Sequence, residues 1–160
     1  MTSIRLFALA AISLALPAAA SAASYSVVGS YATLPSSASP FTYGYSVGNV
    51  FVAYDRATSA CAGISGLSCN YSSEFNNNTL PAVGFNTTGA LLTSGTVRIP
   101  TDVLFMHPVG ENSGLPAGDT VVRFVAPTAG TYAINGKFEI LDVSATGTFV
   151  SIVGGSSSFG

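Results

Sequence analysis

The chain has 160 residues, of which 48% are hydrophobic and only 8% charged, against about 25% charged in an average soluble protein. That length suits one domain with a real core, and its solubility must rest on Ser, Thr, Asn and Gly. Five Lys and Arg against seven Asp and Glu give a formal net charge of -2 with no basic cluster, which excludes a phosphate-neutralising nucleic-acid surface.

The first element is "MTSIRLFALAAISLALPAAASAASY". Arg5 supplies a short charged start, an apolar run extends from Leu6 to Leu16, Pro17 breaks it, and Ala20-Ser21-Ala22 offers the small-residue cleavage pattern of a secretory signal peptide. The run is shorter than the roughly 20 residues that span a bilayer. The reading is therefore a signal peptide over residues 1–22 and one exported domain over 23–160, with no membrane span in the mature chain. Removal of Arg5 leaves four cations against seven acids, a net charge of -3.

Beyond it, short runs rich in β-branched and aromatic residues alternate with Gly, Pro, Ser and Asn clusters, and no helical period is sustained. The expected strands are Tyr25 to Tyr31, Phe41 to Ser46, Val50 to Tyr54, Ala82 to Asn86, Gly95 to Ile99, Asp102 to Met106, Asp119 to Ala126, Thr131 to Asp142 and Thr146 to Val153. Such a series suits an all-β, two-layer antiparallel sandwich. The segments "LPSSASP" (34–40) and "SSEFNNNTLP" (72–81) read as loops.

In the loop-like "SACAGISGLSCNYSS", Cys61 and Cys69 would meet an oxidising compartment after export, which predicts a local disulfide. Two thiols without a nearby His make half a zinc site at most. Closing so short a loop stabilises by about 2–3 kcal/mol in the chain-entropy model.

The stretch "VVRFVAPTAGTYAINGKFEILD" predicts a hairpin turning at Pro127-Thr128-Ala129-Gly130. Pairing Phe124 with Tyr132 sets Val122 against Ile134 and puts Ile134, Phe138 and Ile140 on a core face. Asp119 then stands opposite Lys137 on the solvent face. A one-residue slip would bury Arg123.

Four segments, "YGYSVG", "DVLFMHP", "VVRFVAPTAGTYAINGKFEILD" and "TGTFVSIVGG", in this order resemble the N-terminal domain of exported bacterial proteins of the PEP-CTERM class, from about Phe41 to the end. The resemblance implies a jelly-roll sandwich like that of carbohydrate-binding modules, a place in the cell envelope or extracellular matrix, and extracellular polysaccharide or other envelope proteins as partners. Val109 stands where members of that class tend to have Gly directly after His-Pro. The sequence stops at "GGSSSFG", short of the further strand region around an Ala-Gly-Asp-type turn, the Pro-Glu-Pro motif, the apolar helix and the basic tail that the class carries. The expectation is a truncated reading frame and a sandwich incomplete at its C-terminus, with Thr146 to Val153 near an unpaired edge.

No nucleophile elbow of the Gly-x-Ser-x-Gly type accompanies the single His107, although Asp102 and many serines make a triad formally possible. Asp55, Glu74, Asp102, Glu111, Asp119, Glu139 and Asp142 are dispersed singly, so a glycosidase pair would need assembly by tertiary structure. No Asp-rich calcium loop occurs, and backbone carbonyls alone would have to hold such an ion. The expectation is a non-catalytic module without cofactor or metal. A glycan-binding, lectin-like module is the alternative and a hydrolase the more distant one. For the lectin, Tyr43, Tyr45 and Tyr54 on neighbouring strands are the candidate stacking platform, against the plainer reading as core filling. The sequons at Asn70, Asn77 and Asn86 would carry glycan only in a eukaryotic host.

The secreted product is expected to begin at Ala23 and to carry a Cys61–Cys69 bridge. Intact-mass analysis checks both at once. A mass that retains residues 1–22, or two thiols alkylated without reductant, would defeat the reading.

Overall fold

The structure, a computed structural model, describes residues 23–34, 38–75, 79–108, 118–145 and 147–155. The signal-type segment lies outside them. Among the described residues the fold is all-β: β1 (Phe41–Val47), β2 (Val50–Ala53), β3 (Arg56–Thr58), β4 (Leu67–Tyr71), β5 (Ala82–Asn86), β6 (Leu92–Ser94), β7 (Val97–Ile99), β8 (Leu104–His107) and β9 (Asp119–Phe124). Single 3-10 turns occupy Cys61–Gly63 and Ser73–Phe75.

Two antiparallel sheets form a sandwich. The first has the order β2-β1-β9, the second β3-β4-β5-β8, and β6 and β7 make a separate hairpin. β1 packs against β4 and β5 of the opposite sheet, and β9 against β5. Alternation along a strand directs every second side chain inward, so Phe41, Tyr43 and Tyr45 of β1 face the second sheet. With Tyr54, Phe75 and Val83 they form the inter-sheet core, flanked by Tyr31, Val52, Leu104, Val122 and Phe124.

The second sheet is buried on its other face too. Cys61, Leu67, Cys69, Ala82, Ile99 and Phe105 form another cluster there, joined by Ile64, Leu92, Val97 and Leu141. Leu67, Ser68, Cys69 and Asn70 are therefore all buried in succession. Burial on both faces replaces alternation with a continuous buried run, and that is why β4 did not read as a strand. The loop-like stretch around the cysteines, residues 59–73, contains a 3-10 turn and the whole of β4, and β3 immediately precedes it.

Five expected strands match closely in place: β1, β2, β5, β8 and β9. Tyr25 to Tyr31 is instead a turn, in which Ser30 N–H donates to the Ser26 carbonyl at 2.9 Å and Tyr31 N–H to that of Val28 at 3.2 Å. Gly95 to Ile99 shortens to β7, and the 147–155 stretch makes no strand.

The largest correction concerns the hairpin. β9 pairs with β1, Phe41 opposite Phe124 and Ser46 opposite Asp119, but Thr131 to Ile140 forms no strand against it. Ile134, Phe138 and Ile140 are 71%, 56% and 65% exposed, not core. Lys137 bonds Glu139 at 2.5 Å, not Asp119. The cause is visible at the far end of the segment. Leu141 packs into the outer cluster of the second sheet, its carbonyl accepts from Arg98 N–H at 2.8 Å, and Val143 N–H donates to Thr96. The chain is drawn from the end of β9 towards β7, so the amphipathic run lies between two anchors.

Leu67→Ala is expected to destabilise by about 2–5 kcal/mol, because a fully buried leucine between two packed layers leaves a cavity. Val50→Ala, at a position 64% exposed, should change stability by less than about 0.5 kcal/mol. Urea unfolding of both variants measures the contrast.

Candidate functional site

The tyrosines proposed from the sequence as a stacking platform are brought together, but inside the molecule. Tyr43 and Tyr45 are each 2% exposed and Tyr54 7%. The Tyr45 ring stacks on Tyr54 at 5.9 Å between centroids and meets Phe75 edge-on at 5.0 Å, while Tyr43 stacks on Tyr31 at 5.5 Å. A sugar ring would have to displace core to reach them, so the plainer reading as core filling holds. The period-2 pattern correctly placed Tyr43 and Tyr45 on one face; burial of that face decides their role.

Their hydroxyls follow three different courses. Tyr45 O–H donates to the Glu74 carboxylate at the rim. Tyr54 O–H reaches Thr120 Oγ1 at 3.5 Å, and Thr120 donates its own proton to the His107 carbonyl at 2.5 Å, which links β9 of one sheet to β8 of the other. Tyr43 O–H is buried without a bonded partner; the backbone of Ala32 is the polar group beside it. Burial pushes the Tyr43 phenol up to about 12 and the Tyr54 phenol well above its ordinary value. Burial also raises Tyr45, with the Glu74 hydrogen bond adding to it.

Cys61 and Cys69 form a disulfide with a Cα–Cα distance of 5.6 Å. Both are fully buried in the outer cluster. The bridge ties the 3-10 turn at Cys61–Gly63 to β4, and Thr79 Oγ1 supports that turn by accepting from Ala62 N–H at 2.6 Å.

Several of the groups capable of acid-base chemistry are engaged locally. His107 Nδ1 lies 2.7 Å from the Pro108 carbonyl, and its ring leans on Phe105. Asp55 accepts from both Ser73 N–H, at 2.8 Å, and Ser73 Oγ, at 2.5 Å; these bonds, the hydroxyl's first, hold its carboxyl below the usual range. Asp142 is lowered by a hydrogen bond from Thr96 and by Ser144 N–H. Among the described residues no group of three or more His, Cys, Asp or Glu is placed to hold a metal ion. Glu111 lies outside them.

Two of the sequon asparagines have structural duties. Asn70 Nδ2 donates to Tyr31 OH and the Ala32 carbonyl, and Oδ1 accepts from Leu34 N–H at 2.5 Å. Asn86 Nδ2 donates to the carbonyls of Ala90 and Ile99 at 2.6 and 2.8 Å. Both are buried; Asn77 lies outside the described residues.

What sequence reasoning missed is the outer face of the first sheet. Thr42, Gly44 and Ser46 point away from the core, and pairing sets Phe51 beside Ser46 and Arg123 beside Thr42. The Phe51 ring lies against Gly44, where an added Cβ would come within 2.8 Å of two ring carbons. Arg123 Cζ sits 4.2 Å from the centre of that ring, and its Nε–H donates to Thr42 Oγ1 at 3.2 Å. The signal available in the sequence was Arg123 on the solvent face of its strand; Phe51 gave none, because nothing local shows that its ring lies outside.

No protein-family model matches the chain, and neither a curated protein nor a solved structure matches it.

The buried placement of the tyrosines makes a spectroscopic prediction. A group whose folded pKa is raised stabilises the fold fully below its unfolded value near 10, and that contribution is lost as pH rises through about 12. Absorbance titration at constant temperature should therefore show tyrosinate forming together with unfolding at the alkaline end. Tyr43→Phe should remove amplitude from that step alone, with folding intact because the lost hydroxyl leaves no orphaned partner. Loss of amplitude below pH 11 in this variant would mean the ring is not buried.

Proposed function

We propose that this chain is a non-catalytic, exported β-sandwich module of the bacterial cell envelope or extracellular matrix, acting by surface contact. The observation that carries the reading is the use of its reactive side chains. Asp55, Glu74, Glu139, Asp142 and His107 each make a local bond, to Ser73, Tyr45, Lys137, Ser144 and the Pro108 carbonyl. Carboxylates spent on turns and rims are not poised opposite one another as an acid-base pair. The oxidised cysteine pair and a surface dependent on uncharged polar residues agree with export. The N-terminal signal pattern and the resemblance to PEP-CTERM-class proteins supply the compartment.

Glycan binding is the second reading, and the exposed Arg123 over the half-buried Phe51 ring on the first sheet favours it. The buried tyrosines do not.

Incubation with a panel of polysaccharides and ester substrates is expected to give no turnover above buffer. Hydrolysis that disappears in His107→Ala, with the melting transition unchanged, would replace this reading with an enzymatic one.

A further inference from the structure

The outer face of the first sheet carries an arginine held in place but unpaired. Arg123 is fixed at two points, by the Phe51 ring beneath its guanidinium and by the Thr42 hydroxyl on Nε. No carboxylate among the described residues lies within ion-pair range of it, the ion pair present being Lys137–Glu139. Arginine presents its donors as a rigid fork that matches a carboxylate in two parallel bonds. With Nε already used, the two terminal amino groups remain as a pre-positioned pair, so little side-chain entropy is left to lose on binding. The Gly44 position belongs to the same arrangement, because a side chain there would lift the Phe51 ring that supports the guanidinium.

We propose that this face binds a carboxylated sugar, with Arg123 receiving the carboxylate and the Phe51 edge and the Thr42 and Ser46 hydroxyls meeting the pyranose. The inference rests on the glycan-binding form of the non-catalytic reading above and adds the class of sugar. Charge complementarity selects the anion. The sheet face selects the sugar over a peptide, because peptides that join sheets do so through free backbone groups at an edge, and on a face those groups are already paired within β2-β1-β9. The face has one carboxylate of its own, Asp119 opposite Ser46 and four residues along β9 from Arg123, so the anion of a uronate is received at the Arg123 end, where its ring offers both C–H and hydroxyl groups. The chain is acidic overall, with a pI near 5.0, so recognition is local and short-ranged.

The test is calorimetric titration of the purified chain with an oligogalacturonate and with its methyl-esterified counterpart, which keeps the sugar backbone and removes the charge. Binding is expected for the acid and at least about tenfold weaker for the ester, the scale of a lost charge-assisted bidentate contact. Arg123→Gln should weaken acid binding by about the same factor, and Arg123→Lys, which keeps charge without the fork, by less. Phe51→Leu should weaken it as well, and Arg98→Gln, an exposed cation on β7, should leave it unchanged. Melting curves confirm that each variant folds. Equal affinity for acid and ester, indifference to Arg123→Gln, or no binding to either oligosaccharide overturns the site. Chromatography of the same mixtures separates the two levels: cleavage of the oligosaccharide would overturn the non-catalytic reading, whereas loss of binding without cleavage removes only this assignment.

Discussion

Burial of the second sheet on both faces is the constraint from which the rest of the structure follows. With sheet one against one side and the disulfide turn, the β6–β7 hairpin and Leu141 against the other, β4 and β5 have no water on either face. Any polar group there must find a partner inside the protein or cost about 1–3 kcal/mol. Asn70 meets this demand by bonding the backbone of Ala32 and Leu34, far from it in sequence, and Asn86 by bonding the carbonyls of nearby Ala90 and of Ile99 at the end of β7. The residues that look like turn formers in the sequence thus act as internal fasteners. Asn70 holds the Tyr31 to Leu34 segment over one end of the sheet, and Asn86 holds the Ala90 and Ile99 backbone at the other.

The first sheet has the opposite character. Its inner face is a slab of aromatic rings, and its outer face is open, so the sheet divides its residues cleanly by parity. Odd-numbered Phe41, Tyr43 and Tyr45 give cohesion. Even-numbered Thr42, Gly44 and Ser46 give a surface. Tyrosine suits the inner role only where the hydroxyl reaches a rim or a neighbour, which Tyr45 and Tyr54 achieve and Tyr43 does not. On the proposed non-catalytic reading, contact is left to what the outer face can hold.

How much of this was legible in the sequence depends on how many faces each strand buries. The single-sided strands β1, β2 and β9 announced themselves by alternation, and β5 and β8 by apolar runs between breakers. β4 did not, because Ser68 and Asn70 are polar residues buried by virtue of their partners, and no local pattern reports a partner 36 residues away. The cysteine pair was legible because the two residues are close in sequence and export was expected for the chain. The candidate site was half legible. Arg123 on a solvent face followed from period and charge, but its support by Phe51 is a cross-sheet relation through β1 that exists only once β2 and β9 flank the same strand.

The Thr131 to Asp142 run shows where pattern reading ends. Alternation shows that a segment has two faces; it does not say which edge, if any, the segment will use. Here the competing contact is Leu141 against the outer cluster of sheet two, fixed by two backbone bonds to the Thr96 and Arg98 strand region. A turn at Pro127 to Gly130 would fold the run back along β9, whereas an apolar anchor at Leu141 draws its far end to β7. The structure resolves that conflict in favour of the anchor, at the cost of exposing Ile134, Phe138 and Ile140. Local propensity and tertiary contact disagree in this segment, and such disagreement is what a minimally frustrated sequence avoids elsewhere. Among the described residues, the unpaired edge of β9 and the exposed apolar run are two consequences of one choice, because the residues that the alternation would have set along that edge are the ones held away from it.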